Sequence, residues 1–329
     1  MSPEAFEDWA AHSRRGFADQ QVASGTLPPE EAAAEAARGF ADLLPDGLDT
    51  PSHHLFTVHE TCERDVVGHL WLRVRAQPET ADEVEGYVFD VELLPVARGR
   101  GLGRATMLAA EDAARDLGAT VMRLNVFGHN TTAMRLYESL GYTVTSAAMQ
   151  APLQELPSRV PGGPAVVLRD MTQEEYDVFR PRLEAGYGSN IAAAGAMPEE
   201  EARRTAREQL DRLLPDGRDT PGHLLWTALD GEEPVGVLWL HLRPRSDGLQ
   251  AFGFELEVRE ELRRQGYARA VLAAAAEACR ELGVTTVALS VFGFNAGARA
   301  LYEQMGFRLS AQNMVKALGP SPESRPARA

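Results

Sequence analysis

Two short segments carry residue types suited to chemistry, and each occurs twice. Arg98-Gly99-Arg100-Gly101-Leu102-Gly103-Arg104 combines small residues with cations, and Arg263-Arg264-Gln265-Gly266-Tyr267-Ala268-Arg269 is its counterpart. Small residues let backbone approach a ligand closely, and free N–H groups at the start of a following helix attract an anion, phosphate above all. A tight turn that merely opens a helix has the same composition. The second pair is Leu136-Tyr137-Glu138 and Leu301-Tyr302-Glu303. Ala133, Leu136, Tyr137 and Leu140 fall at helical spacing on one apolar face, as do Ala298, Leu301, Tyr302 and Met305, so both tyrosines point inward. Read as residues alone, they are core aromatics whose hydroxyls need a partner. Just ahead of each small-residue turn, acids alternate along a strand-like run: Asp90 and Glu92, then Glu255 and Glu257. Alternating acids face solvent in an ordinary strand, and near a reacting centre they can accept a proton.

The elements that must position these groups follow from periodicity and breakers. In the first copy the pattern predicts a helix over 30–43, stopped by Pro45 and Gly47, then strands over 55–58, 66–74 and 86–94. A long helix over 103–117 ends at Gly118, a buried strand covers 121–127, and a final helix runs over 130–140 to Gly141. The second copy repeats this order. Leu43-Leu44-Pro45-Asp46-Gly47 returns as Leu213-Leu214-Pro215-Asp216-Gly217, and Val126-Phe127-Gly128 returns as Val291-Phe292-Gly293. A repeat this long is a duplicated domain rather than a solenoid unit. The expected domains are 1–150 and 165–318, joined by a Pro- and Gly-rich linker at 151–164 and followed by a disordered tail at 319–329. Residues 165–169 read as a strand with no counterpart before the first copy, which therefore lacks a first strand or borrows one. Strand runs followed by a strand–helix–strand–helix unit point to an α/β (α+β) architecture: a mixed sheet with helices on its faces.

Composition narrows the function classes. The chain of 329 residues carries 33 Lys and Arg against 48 Asp and Glu, a formal net charge of −15. No broad basic surface is available to displace counterions from DNA or RNA, so no nucleic-acid partner is expected. Cys62 and Cys279 cannot form a disulfide framework, which suits a reducing cytoplasm. The acidic N-terminus does not read as a secretory signal, and no run is long and apolar enough to predict a membrane span.

The shared pattern Arg-x-x-Gly-x-(Gly or Ala), followed downstream by Asn…Leu-Tyr-Glu…Gly-(Tyr or Phe), resembles the GCN5-related N-acetyltransferase (GNAT) family. It covers Arg98–Gly103 and Asn130–Tyr142 in one half, then Arg263–Ala268 and Asn295–Phe307 in the other. The tandem layout resembles that of the mycothiol synthase family. The rival, a dinucleotide-binding Gly-x-Gly-x-x-Gly turn, fails because Arg104 stands at the third glycine and the second copy has no Gly-x-Gly.

The resemblance implies two tandem GNAT-like domains, each with a mixed, mostly antiparallel sheet, and no metal. It implies acetyl-CoA as acyl donor, its pyrophosphate on residues 98–104 and 263–269, its pantetheine arm beside the backbone of Leu93 and Val258 and bordered by Asn130 and Asn295. Tyr137 and Tyr302 are then the general acids toward the thiolate. Family members carry a catalytic Glu where Tyr87 and Phe252 stand here, so the base must come from elsewhere. Glu92 and Glu257 are the first choice, with Asp90 and Glu255 as alternatives. The expected acceptor is the primary amine of a small molecule or peptide, taken by direct transfer without a cysteine intermediate. An acyl-CoA sensor with silent sites is the alternative. A monomer with pseudo-dimeric domains and a homodimer both fit, and acceptor specificity is expected in 20–30 and 190–199.

Overall fold

The computed structural model describes residues 1–60, 65–76, 83–193 and 198–319. Two compact units emerge: Met1–Thr145 together with the strand beginning at Ser310, and Ser146–Leu309. The first opens on α1 (Pro3–Ala23), where Pro3 pre-sets the first turn and the Ser2 hydroxyl accepts the Ala5 N–H at 3.3 Å. Then come α2 (Pro29–Leu43), β1 (His53–His59), β2 (Val66–Ala76), β3 (Val84–Leu93), α3 (Leu102–Asp116), β4 (Val121–Phe127), α4 (Thr131–Ser139) and β5 (Thr143–Pro152). The rest of the chain forms β6 (Val166–Asp170), α5 (Gln173–Ala193), α6 (Glu199–Leu213), β7 (His223–Asp230), β8 (Glu233–Arg245), β9 (Gly248–Val258), α7 (Tyr267–Glu281), β10 (Val284–Phe292), α8 (Ala296–Met305) and β11 (Arg308–Ala317).

The sheet of the first unit runs β1-β2-β3-β4-β11, and that of the second runs β5-β10-β9-β8-β7-β6. The β3–β4 and β9–β10 pairs are parallel and the other pairs within each unit are antiparallel, the mixed sheet the sequence predicts. Each copy gains a last strand beyond its final predicted helix. Ala147, Met149 and Ala151 alternate inward on β5, but small and polar residues around them leave the pattern faint. Pro152, placed in the linker by composition, is the last residue of that strand.

These last strands trade places. Residues of β11 pair with β4, Gln312 opposite Val126, while residues of β5 pair with β10, Ala147 opposite Val291. The repeat therefore follows one partition of the chain and the contacts follow another. The strand before the second copy, β6, pairs with β7, whereas β1 stands at the sheet edge of the first unit with no added strand among the described residues.

Each sheet is covered on both faces. In the first unit, Leu72, Met107, Met122 and Leu124 are fully buried under α3 and α4, each contributing about 1.5–3 kcal/mol of apolar burial. On the other face Trp9 of α1 meets Trp71 edge-on at 5.7 Å, and the Trp71 indole N–H donates to His53 Nδ1 at 2.8 Å. The second unit repeats that bond between Trp239 and His223 at 2.8 Å.

Candidate functional site

In each unit the parallel strand pair comes apart partway along. Pairing of β3 with β4 covers Glu85–Val88 against Val121–Leu124, and Phe89 through Leu93 have no partner on β4. Toward β2 the register skips Phe89, because Trp71 faces Asp90 while Leu72 faces Val88. The ring of the bulged residue lies on Trp71 at 4.6 Å. The second unit repeats this: β9 leaves β10 after Gly253, Phe254 is the extra residue, and its ring stacks on Trp239 at 4.4 Å. A bulge bends its strand and re-aims the side chains after it, so each sheet opens a cleft just ahead of the Gly-rich turn.

Backbone closeness holds the neighbouring strand tight against β3 and β9 beside the opening. A Cβ on Gly68 would stand 2.3 Å from the Glu92 carbonyl oxygen, and one on Gly236 would stand 2.3 Å from that of Glu257. Only glycine fits at either position.

The turn after β3 is built as an anion cradle. Gly99 and Gly101 have φ of +75° and +82°, Gly101 caps α3 with no side-chain hydrogen bond, and space above both glycines is open. Leu102, Gly103 and Arg104 form the first turn of α3; the Arg104 N–H donates to the Gly101 carbonyl at 3.1 Å, and those of Leu102 and Gly103 lie at the positive end of the helix dipole. Arg98 folds back, donating Nε–H to the Leu93 carbonyl at 2.8 Å. Arg100 pairs with Glu60 at 2.6 Å, and Arg104 donates to Ser139 Oγ at 2.8 Å. In the second unit Gly266 caps α7 at φ +92°, and Arg264 takes φ +64° where the first copy has Gly99. Arg263 Nε–H donates to the Val258 carbonyl at 3.2 Å, Gln265 to the Glu261 carbonyl at 2.9 Å, and Arg269 to Gln304. Tyr267 donates its hydroxyl to Asp230 at 2.8 Å, beside Ala268 in the first turn.

Asn130 and Asn295 cap α4 and α8, accepting from Ala133 and Ala298 N–H at 3.1 and 3.0 Å. Tyr137 on α4 packs in the core of the first unit and Tyr302 on α8 against that of the second, within electrostatic reach of Asp90 and Glu255. Burial, with a smaller push from the carboxylate of Asp90 or Glu255, raises each hydroxyl to about 12. A phenol so placed holds its proton firmly.

The four acids divide into two kinds. Asp90 accepts from Ser13 Oγ at 2.8 Å; burial and Glu92 raise its pKa, while that hydrogen bond lowers it. Glu255 has no hydrogen-bond donor among the described residues, and burial plus neighbouring Glu257 push it up to about 7. Glu92 and Glu257 lie nearer the mouth. Glu92 meets His12 at 2.9 Å and Arg98 at 3.5 Å, and Glu257 meets Arg182 at 3.1 Å. Sequence reasoning missed Ser13, His12, His69 and Arg182, since nothing local connects α1, β2 or α5 to the acids.

His129, excluded from a shared role by its counterpart Phe294, bonds Gln20 at 2.6 Å. Cys279 is buried in the core of the second unit with its thiol pushed up to about 11, an inert setting. Cys62 and part of the 190–199 segment lie outside the described residues, as does the expected tail from 320 onward. Among the described residues no group of three or more His, Cys, Asp or Glu could hold a metal ion, and no helix is long and apolar enough to cross a membrane.

The model of the Acetyltransferase (GNAT) family matches residues 20–142 and 191–307, one match over each repeat. The chain belongs to the GNAT family. It is an N-acetyltransferase of tandem layout. It is 37% identical over 153 residues to the uncharacterized N-acetyltransferase YycN of Bacillus subtilis, covering 46% of this chain and 96% of that protein. A mycothiol acetyltransferase of Nocardiopsis dassonvillei is 28% identical over 258 residues, covering 72% of this chain and 73% of its own. A GCN5-related N-acetyltransferase structure from Sphaerobacter thermophilus overlaps with a TM-score of 0.49 at 21% identity, covering 92% and 90% of the two chains.

Proposed function

We propose that both GNAT units transfer acetyl from acetyl-CoA directly to the primary amine of a small molecule or peptide. The observation that carries this reading is the same in each unit: a tyrosine shielded from solvent lies within electrostatic reach of a half-buried carboxyl beside a strand opening, next to a Gly-capped helix start. The diphosphate of the donor fits residues 98–104 and 263–269, where Gly99 and Gly101 leave open space. The pantetheine arm fits the strand edge at Leu93 and Val258, with Asn130 and Asn295 at its border.

Chemistry follows from the residues. Asp90 or Glu255 accepts a proton from the acceptor ammonium, and of the four acids these two lie closest in influence to the tyrosines. Glu92 and Glu257 shape the mouth through their ion pairs. The amine nitrogen attacks the thioester carbonyl, backbone N–H groups steady the oxyanion, and the C–S bond breaks. Tyr137 or Tyr302 delivers its proton to the departing thiolate. A reducing cytoplasm suits a buried, protonated Cys279.

Titration calorimetry of the full chain with acetyl-CoA tests the reading, with two molecules bound per chain expected. Tyr137→Phe with Tyr302→Phe should lower turnover by roughly 10²–10⁴-fold while leaving acetyl-CoA affinity near wild type. Binding that persists with no thiol release from the parent chain over an amine panel would mark an acyl-CoA sensor instead.

A further inference from the structure

The two clefts differ in what connects their carboxyls to solvent. On β2 of the first unit, His69 stands directly opposite Glu92, and Trp71, two residues on, stands opposite Asp90, so His69, Asp90 and Glu92 share one face. From α1 above that face, His12 Nε2 meets Glu92 Oε2 at 2.9 Å and Ser13 holds Asp90 at 2.8 Å. The His12 side chain is 57% exposed. In the second unit, Val237 stands opposite Glu257 and Arg182 replaces His12 as the partner of that carboxylate. Valine cannot carry a proton, and a guanidinium does not release one.

Acetyl transfer to an ammonium makes such a path matter. Two protons leave the acceptor nitrogen as the C–N bond forms and the C–S bond breaks. One ends on the thiol sulfur by way of the tyrosine, and the other must reach solvent. We propose, on the reading that the first unit acetylates amines, that this second proton leaves through Asp90, His69, Glu92 and His12, an exit the second unit does not have. Both imidazoles are positioning and relay groups rather than contacts to the acetyl group. The charged groups facing His69 are Asp90 and Glu92 from β3, His12 from α1 and the N-terminal amine, with Arg98 beyond Glu92. Burial favours its neutral form, and the two carboxylates pull the other way. A half-buried imidazole between two acids can both take and give a proton.

The test uses the full chain carrying Tyr302→Phe, which leaves the first unit as the working site, with benzylamine as acceptor probe. His69→Val and His12→Arg, which install the residues of the second unit, should each lower kcat about 10- to 100-fold, at or below the contribution of a direct proton donor. KM for acetyl-CoA should stay within about 2-fold on that same footing, added imidazole should restore part of the rate to His69→Val, and the pH profile should change shape. Unchanged kcat and profile in both variants overturn the proposal. An independent arm follows the ring signal of His69 by nuclear magnetic resonance. Its midpoint should fall in Glu92→Gln. A His69 titration indifferent to Glu92 overturns the proposal even if benzylamine is not accepted. Absence of acetyl-CoA binding in calorimetry overturns the acetyl-transfer reading itself, and the relay with it.

Discussion

Asp90 and Glu255 hold matching places on β3 and β9, yet their surroundings set them apart. A serine hydroxyl on α1 bonds Asp90, whereas α5 offers Leu183 at the corresponding step, next to Arg182. Without that donor Glu255 rises to about 7, where a carboxyl can both accept and return a proton near neutrality. In a chain carrying Tyr137→Phe, kcat/KM for the second unit should climb as pH rises through about 7 and then level. Glu255→Gln should flatten that limb and lower the rate roughly 10²–10⁴-fold. Stability has the opposite sign. A carboxyl whose folded pKa lies above its unfolded value binds more protons when folded, so its contribution is present at low pH and is lost as pH rises from about 4.5 through 7. Melting temperature measured across that window should fall for the parent and fall less for Glu255→Gln.

At the level of elements, the exchanged strands are marked by one pair of residues. Glu111 on α3 is 1% exposed and receives the Lys316 ammonium from β11 at 2.6 and 2.8 Å, with Arg115 at 3.4 Å. The matching residues of the second unit are Ala276 and Ala151, both buried and apolar. Were β5 to sit beside β4, Ala151 would leave Glu111 with only the more distant Arg115 as a partner, and β11 beside β10 would bring Lys316 against Ala276. Removing one member of such a buried pair costs about 3–5 kcal/mol, so unexchanged strands are penalised at both ends. Lys316→Ala should destabilise the first unit by that amount in denaturant unfolding. With the native cysteines replaced by alanine, Asn125→Cys with Asn313→Cys should cross-link under mild oxidation, and Asn125→Cys with Ala148→Cys should not. Moving the cation through Lys316→Ala and Ala151→Lys should shift cross-linking toward the second pair. Gly236→Ala belongs to the same scale. Its Cβ meets the Glu257 carbonyl at 2.3 Å, so β9 must move, and acetyl-CoA affinity measured by calorimetry should weaken with it.

Across the whole molecule, duplication made much of this legible. Arg98, Gly101, Tyr137 and their counterparts lie in contiguous motifs whose turn and helix geometry is local, so a repeated pattern reveals them. The strand opening is less visible, because Phe89 and Phe254 look like ordinary strand residues until register assigns them no partner. His12 lies 80 residues from Glu92, and Lys316 lies 205 from Glu111; only tertiary pairing brings them together. The strand exchange is hidden for a related reason. Both last strands are ten residues long and bury alternate side chains, and that pattern alone gives no ground for assigning either to a distant half.

That arrangement sets an order for biosynthesis. The segment that completes the first sheet, from Ser310, emerges from the ribosome about 165 residues after its counterpart in the first copy, β5. At roughly 5–20 residues per second, the opening half waits on the order of ten to thirty seconds with the β4 edge and the Glu111 carboxylate uncovered. A message terminated just before codon 308 should yield nascent chains whose amino-terminal half is cut readily by protease, while full-length chains resist.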